Sequence, residues 1–228
     1  MNLILFEWKL IVRNKRLKQM FMMSMYLYLL FYLQLTISAS LKETFLIREF
    51  FIWAMFVIPA GFAPIVNINA AFIEKQLITP LSIFQLFQAK YRLYCIVSIV
   101  LFILFLPSLF FGIKLMELVA GLLFAVGFGF LGLFYLSLWA YKPFDIKASY
   151  FANYQGFDAG SYFSPILGLM LAFGFTALFY WLFNETITLI AMSLIGLVFI
   201  VTNRIWLKKI SKSFEKTKYY RLECFREK

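Results

Sequence analysis

Residues 94–113 read YCIVSIVLFILFLPSLFFGI, twenty positions without one charged side chain. About 20 predominantly apolar residues wound into an α-helix cover the roughly 30 Å hydrocarbon core of a bilayer. A helix on the surface of a soluble protein keeps one polar face for water. This stretch has no such face, so lipid is its natural solvent. Five further stretches share its character. Upstream, Met20–Ala39 has Gln34 and a few hydroxyls as its only polar content, and Phe50–Ile73 carries Pro59, Gly61, Pro64, Asn67 and Asn69. Downstream, Leu118–Trp139 is glycine-rich, Pro165–Phe183 is shorter, and Thr186–Trp206 closes the set. The connectors around Lys114 and Asn184–Glu185 are short enough to make helical hairpins of the third and fourth stretches and of the fifth and sixth. The expectation is an all-α integral membrane protein with six transmembrane helices.

Composition agrees. Hydrophobic residues make up 63% and charged residues 14% of the 228 positions, where about half and about a quarter are usual for soluble domains. The expected organisation is one transmembrane domain over 1–228: an interfacial helix over 1–19, six spans over 20–206 and a basic cytoplasmic tail over 207–228. A net charge of +11 would suggest nucleic acid for a soluble chain. Here the basic residues flank apolar spans, so anionic lipid headgroups are the expected counter-charge and nucleic acid is not an expected partner.

Those basic residues also orient the chain. With the N-terminus inside, nineteen Lys and Arg fall in inner segments and three, Lys42, Arg48 and Lys114, in outer ones. The positive-inside rule therefore puts both termini in the cytoplasm and favours an even number of spans. Trp53 and Trp181 fall near outer ends and Trp139 and Trp206 near inner ends, the positions of interfacial aromatic belts. In Asn2–Val12, Leu3, Phe6 and Leu10 recur at helical spacing beside Trp8 and ahead of a basic run, which reads as an amphipathic helix lying in the inner interface.

Two inner segments remain. Thr79-Pro80-Leu81-Ser82 opens a short helix toward Tyr91, with Thr79 as expected N-cap and Pro80 at its first position. Leu81, Phe84 and Phe87 give it an apolar side, flanked by Ser82, Gln85 and Gln88. The segment Tyr141–Ser164 is the longest loop between spans and contains Asp145, Lys147, Asn153, Gln155 and Asp158.

Catalytic signals are sparse. The chain has no histidine, which removes His-based zinc sites and Ser-His or Cys-His nucleophile activation. Cys95 and Cys224 stand alone and make neither a disulfide framework nor a metal cluster. Gly127-Phe128-Gly129-Phe130-Leu131-Gly132 matches a dinucleotide fingerprint, but it sits inside an apolar span with no strand before it, so close helix packing is the better account. No Walker A sequence occurs, so ATP bound through a P-loop would belong to another polypeptide. Glu74 and Asp145 at inner helix ends, and Glu49, Glu117 and Glu185 at outer ones, read as solvated interfacial charge, too dispersed for acid–base chemistry. Asn67 and Asn69 are the most polar residues deep in any span. Beside Pro59 and Pro64 they suit either an interhelical hydrogen bond or the lining of a substrate path.

Three features together resemble the permease subunits of ABC-2-type exporters, in a short bacterial six-span branch. They are the interfacial Phe6-Glu7-Trp8-Lys9 helix, which leads through Arg13-Asn14-Lys15-Arg16 into the spans; the cytoplasmic Thr79-Pro80-Leu81-Ser82 helix between spans 2 and 3, with Glu74 just ahead of it; and the loop with Phe144-Asp145-Ile146-Lys147 and Phe151-Ala152-Asn153-Tyr154-Gln155-Gly156. The resemblance implies a connecting helix, a cytoplasmic coupling helix and a multi-pass location in the bacterial inner membrane. It also implies a second permease copy or paralogue and separate ATPase subunits that bind ATP and magnesium. The chain itself would be no enzyme and would bind no cofactor directly. Glu74, Thr79, Pro80, Leu81, Ser82, Phe84, Lys90, Asp145 and Lys147 would then face the ATPase, and Asn67, Asn69, Pro59 and Pro64 the substrate path. The cargo would be a lipid, a peptide or another amphipathic molecule. A non-transporting membrane scaffold or assembly subunit is the alternative.

Overall fold

The computed structural model describes residues 3–40, 45–61, 82–139, 170 and 173–226. All regular elements among them are helical. The chain opens with α1 (Leu3–Arg13), α2 (Lys15–Ser40) and α3 (Phe45–Gly61). Next come α4 (Ile83–Phe105), α5 (Leu115–Phe124) and α6 (Phe130–Leu136). An apolar helix α7 (Phe173–Leu182) precedes α8 (Glu185–Val201) and α9 (Asn203–Arg226). Among the described residues, three helical runs are long and apolar enough to cross a membrane: Leu17–Ile37, Ile83–Phe111 and Leu115–Leu136. A fourth is added if the bent pair Glu185–Val201 and Asn203–Thr217 counts as one span. Of the other two expected spans, α3 and α7 are the described parts.

The uncharged stretch 94–113 belongs to a longer helix than its own length suggests. The Thr79-Pro80 signal predicts a separate short helix that stops near Tyr91. Instead α4 starts after Ser82 and runs unbroken to Phe105. Ser82 is the N-cap: its hydroxyl accepts from the Gln85 backbone N–H at 3.2 Å, and the Ser82 N–H donates to the Gln85 side chain in return. This reciprocal capping box satisfies two donors that a helix start leaves without partners. No glycine or proline interrupts residues 83–106, so nothing breaks the helix between its polar start and its apolar body. Pro107 then forces the change. It lacks the N–H that an α-helix would use, and the chain tightens into a 3₁₀ turn over Leu106–Phe111 that Gly112 ends with φ +94°.

The pairing of helices follows from residue contacts. Arg48 meets Glu117, Ile52 lies against Gly121, and Val57 and Trp53 lie against Gly129, so α3 and the α5–α6 run are parallel. Ala120 clusters with Leu189 and Gly127 meets Gly196, so α8 runs parallel to both. Tyr28 donates to the Leu101 carbonyl at 3.2 Å and Tyr32 packs on Phe105, which sets α2 parallel to α4. The three parallel starts, at Phe45, Leu115 and Glu185, therefore share one end of the bundle. The start of α4 and all of α1 lie at the other.

The glycine fingerprint is packing, as its apolar setting predicts, at two of its three positions. A Cβ at Gly127 would collide with the Gly196 backbone, and one at Gly129 would press on Val57 and Trp53; Gly132 faces open space among the described residues. Where α5 gives way to α6 the chain makes one π-helical turn, Ala125–Gly129. That single turn of wider winding bulges the helix where the Gly196 backbone comes closest.

Candidate functional site

Charged side chains are buried at both ends of the bundle. Their sequence positions predict solvated interfacial charge, and burial overturns that expectation for Glu49 and Glu117, each 1% exposed. At the shared start of the parallel helices, Arg48 Nη2 donates to Glu117 Oε1 at 3.1 Å. Glu117 lies in the first turn of α5, where the positive end of the helix dipole favours the ionised carboxylate. Glu49, the fifth residue of α3, is past the first turn of its helix and gains little from that dipole. Among the described residues neither of its carboxylate oxygens has a hydrogen-bond partner, and Glu117 Oε2 also has none. Glu49 stands one residue ahead of the apolar stretch 50–73. Burial, and then the negative charge of Glu117, push its carboxyl well above the ordinary range, against a smaller downward pull from Arg48. At the rim, Lys114 and Glu185 form an exposed ion pair at 3.5 Å. An open groove beside it is lined by Leu46, Tyr180, Trp181, Phe183 and Glu185. Trp181 is 80% exposed there.

At the other end, α1 is fastened to α4. Glu7 and Lys90 are 3% and 2% exposed, with Lys90 Nζ 3.5 Å from Glu7 Oε2. Two desolvated charges are tolerated in such a place because each is the other's counter-charge. Lys90, expected on a partner-facing surface, is turned into the bundle instead. Phe84, expected on the same surface, is half-buried and packs against the main apolar cluster. Ser82 and Gln85 are exposed. Glu74, Thr79, Pro80, Leu81, Asp145, Lys147, Asn67, Asn69 and Pro64 lie outside the described residues, as does the loop 141–164. Pro59 falls in the last turn of α3, and its side chain is not described.

Aromatic residues complete the second end. Tyr91 packs edge-on against Trp206 at 5.3 Å, and Phe87 does so against Phe214 at 5.7 Å. These rings hold α9 against α4. Trp53, expected in an outer belt, is 3% exposed and rests on Phe124 and Gly129. The glycine at 129 leaves room for the indole, so it enters the bundle.

Among the described residues no group of three His, Cys, Asp or Glu side chains is placed to hold a metal ion. Residues 2–228 match the description "Family of unknown function (DUF5687)". The chain belongs to the DUF5687 family. No curated protein and no solved structure matches it. In this DUF5687 chain the two charged ends differ in kind. The α1–α4 end holds one ion pair of equal and opposite charges, whereas the opposite end holds an ion pair with a second acid beside it that has no hydrogen-bond partner among the described residues. The sequence signal for both is an acidic residue near the end of one helix and a basic residue near the end of another, which can be joined only once the helix pairing is known.

Proposed function

We propose that this chain is the membrane-spanning permease subunit of an ATP-driven transporter of the ABC-2 exporter type. It would have six spans, both termini in the cytoplasm of a bacterial cell, and a separate ATPase docked at the start of α4. The cargo class is a lipid, a peptide or another amphipathic molecule, passed along a path at the interface with a second permease subunit. The resemblance of the 6–16 and 79–82 segments to that family motivates the reading. One observation supports it most: a single helix without glycine or proline joins the exposed Ser82–Gln85 turn to the middle of the bundle. A push on that turn from a soluble partner would be transmitted as a rigid-body movement of α4, and α1 would follow through the Glu7–Lys90 pair. Alternating access needs two packings of similar energy. The π turn and the close glycine crossing supply a place where helices can shift without repacking large side chains.

Membranes from the native host provide the test. The chain, purified in mild detergent, should bring with it a P-loop ATPase whose hydrolysis is absent when the chain is expressed alone. Leu81→Asp combined with Gln85→Arg should lower retention of that ATPase several-fold without changing membrane insertion. Phe84 is a poorer probe, since it also packs inward. Recovery of the intact chain with no ATP-hydrolysing partner, and export unchanged on deletion, would overturn the reading in favour of a scaffold.

A further inference from the structure

We propose that Glu49 is a proton-binding site, and that its occupancy decides which carboxylate Arg48 pairs with. Three observations and one physical rule lead there. Glu49 is 1% exposed by protein atoms alone, so it faces the inside of the bundle and not the lipid. Both of its oxygens lack a hydrogen-bond partner among the described residues. A buried carboxylate left without partners is strongly disfavoured against its neutral acid. The neighbouring cation, Arg48, is bound at 3.1 Å to a different acid, Glu117.

The charged groups around Glu49 can be named helix by helix. From α5 it faces Glu117, and from α8 Glu185, whose charge is shared with Lys114 at the rim. On its own helix the neighbour is Arg48. The helices α2, α4 and α7 also pack on α3; α7 carries no charged residue, and its titratable side chain, Tyr180, stacks on Phe45. The basic residues of α2 and α4, Lys15, Arg16, Lys18, Lys90 and Arg92, are all in the halves of those helices that lie at the opposite end. Among the described residues, one cation and two anions therefore meet at the buried position, and a proton on Glu49 balances them. When Glu49 releases that proton to water at the rim, two carboxylates compete for one guanidinium. Movement of Arg48 from Glu117 toward Glu49 then loosens the contact between α3 and α5. This switch stands apart from the ATPase reading, because its test measures carboxyl protonation and not transport.

The experiment is difference infrared spectroscopy on the full-length chain in a maltoside detergent, which has no carbonyl group of its own. At neutral pH the wild type should show the carbonyl stretch of a protonated, exchange-protected carboxylic acid. Glu49→Gln should lose that band. Glu117→Gln removes the neighbouring negative charge, so its Glu49 band should vanish at a lower pH than in the wild type. Melting temperature gives a second readout. A raised folded-state pKa means that stability is complete below the ordinary carboxylate range. It is then lost as pH rises, because the unfolded chain releases the proton first. The wild type should thus lose melting temperature from about pH 5 upward relative to Glu49→Gln. A wild-type band that persists undiminished in Glu49→Gln, or a pH response unaltered in Glu117→Gln, would overturn the proposal.

Discussion

Lys90 and Glu7 show how a buried pair constrains the residues that make it. Each is nearly inaccessible, and Glu7 Oε1 accepts no hydrogen bond from the described residues, so removing one partner leaves an uncompensated charge. Glu7→Gln or Lys90→Met alone should cost roughly 3–5 kcal/mol, while the double variant should recover much of that loss. Thermal melting of the four chains in a double-mutant cycle measures it, and strictly additive losses would contradict a paired role. Both residues are plain in the sequence, but nothing there joins them, because the contact depends on how α1 lies across α4. The same holds for Arg48 and Glu117, which are 69 residues apart. Charge at a span end is ordinarily solvated, and only the packing of three helices turns these acids inward.

At the level of elements, the close approach of α5 and α8 has one cause that can be tested. Gly196 lies against the Leu123 carbonyl and the Phe124 backbone, and Gly127 against Gly196. Backbone cannot yield as a flexible side chain does, so Gly196→Ala should lower stability by about 1–3 kcal/mol, the range for overpacking. Gly132→Ala, facing open space among the described residues, should be nearly neutral. Unfolding of both variants in the same detergent distinguishes the positions. Small residues inside an apolar span are the sequence signal for this crossing, and they are a local pattern that needs no knowledge of helix pairing. The start of α4 is less legible. Thr79-Pro80 resembles a helix start as closely as Ser82-Ile83-Phe84-Gln85 does. What decides is the reciprocal Ser82–Gln85 pair, two side chains that a start at Thr79 leaves as mere flanking polar residues. The length of α4 is written in the absence of glycine and proline through residue 106, a signal that outweighs the short-helix expectation.

For the whole molecule, the basic asymmetry of nineteen against three yields a prediction about sidedness. A membrane-impermeant thiol reagent should modify Cys224 only after the inner face is exposed, and Cys95, half-buried in α4, should stay protected in intact membranes. Labelling of Cys224 from outside intact cells would overturn the proposed orientation. The helical, membrane-compatible character of the chain is legible because apolar length is a local property. The bend at Thr202 is not, because it depends on side chains satisfying backbone groups released by the break. Trp206 Nε1 donates to the Phe199 carbonyl at 2.9 Å, and Asn203 Nδ2 to the Ile200 carbonyl. The two helices they join diverge by 62°. If α8 stands upright in a bilayer, α9 must lie close to the membrane surface, with Leu207, Ile210 and Phe214 facing the bundle and Lys208, Lys209 and Lys212 facing outward. Such a helix works as an outrigger. In that setting it would fix how deep α8 can sink and stop α8 from rotating about its own axis, so a bilayer of different thickness would be met by tilting of the whole bundle and not by sliding of one helix.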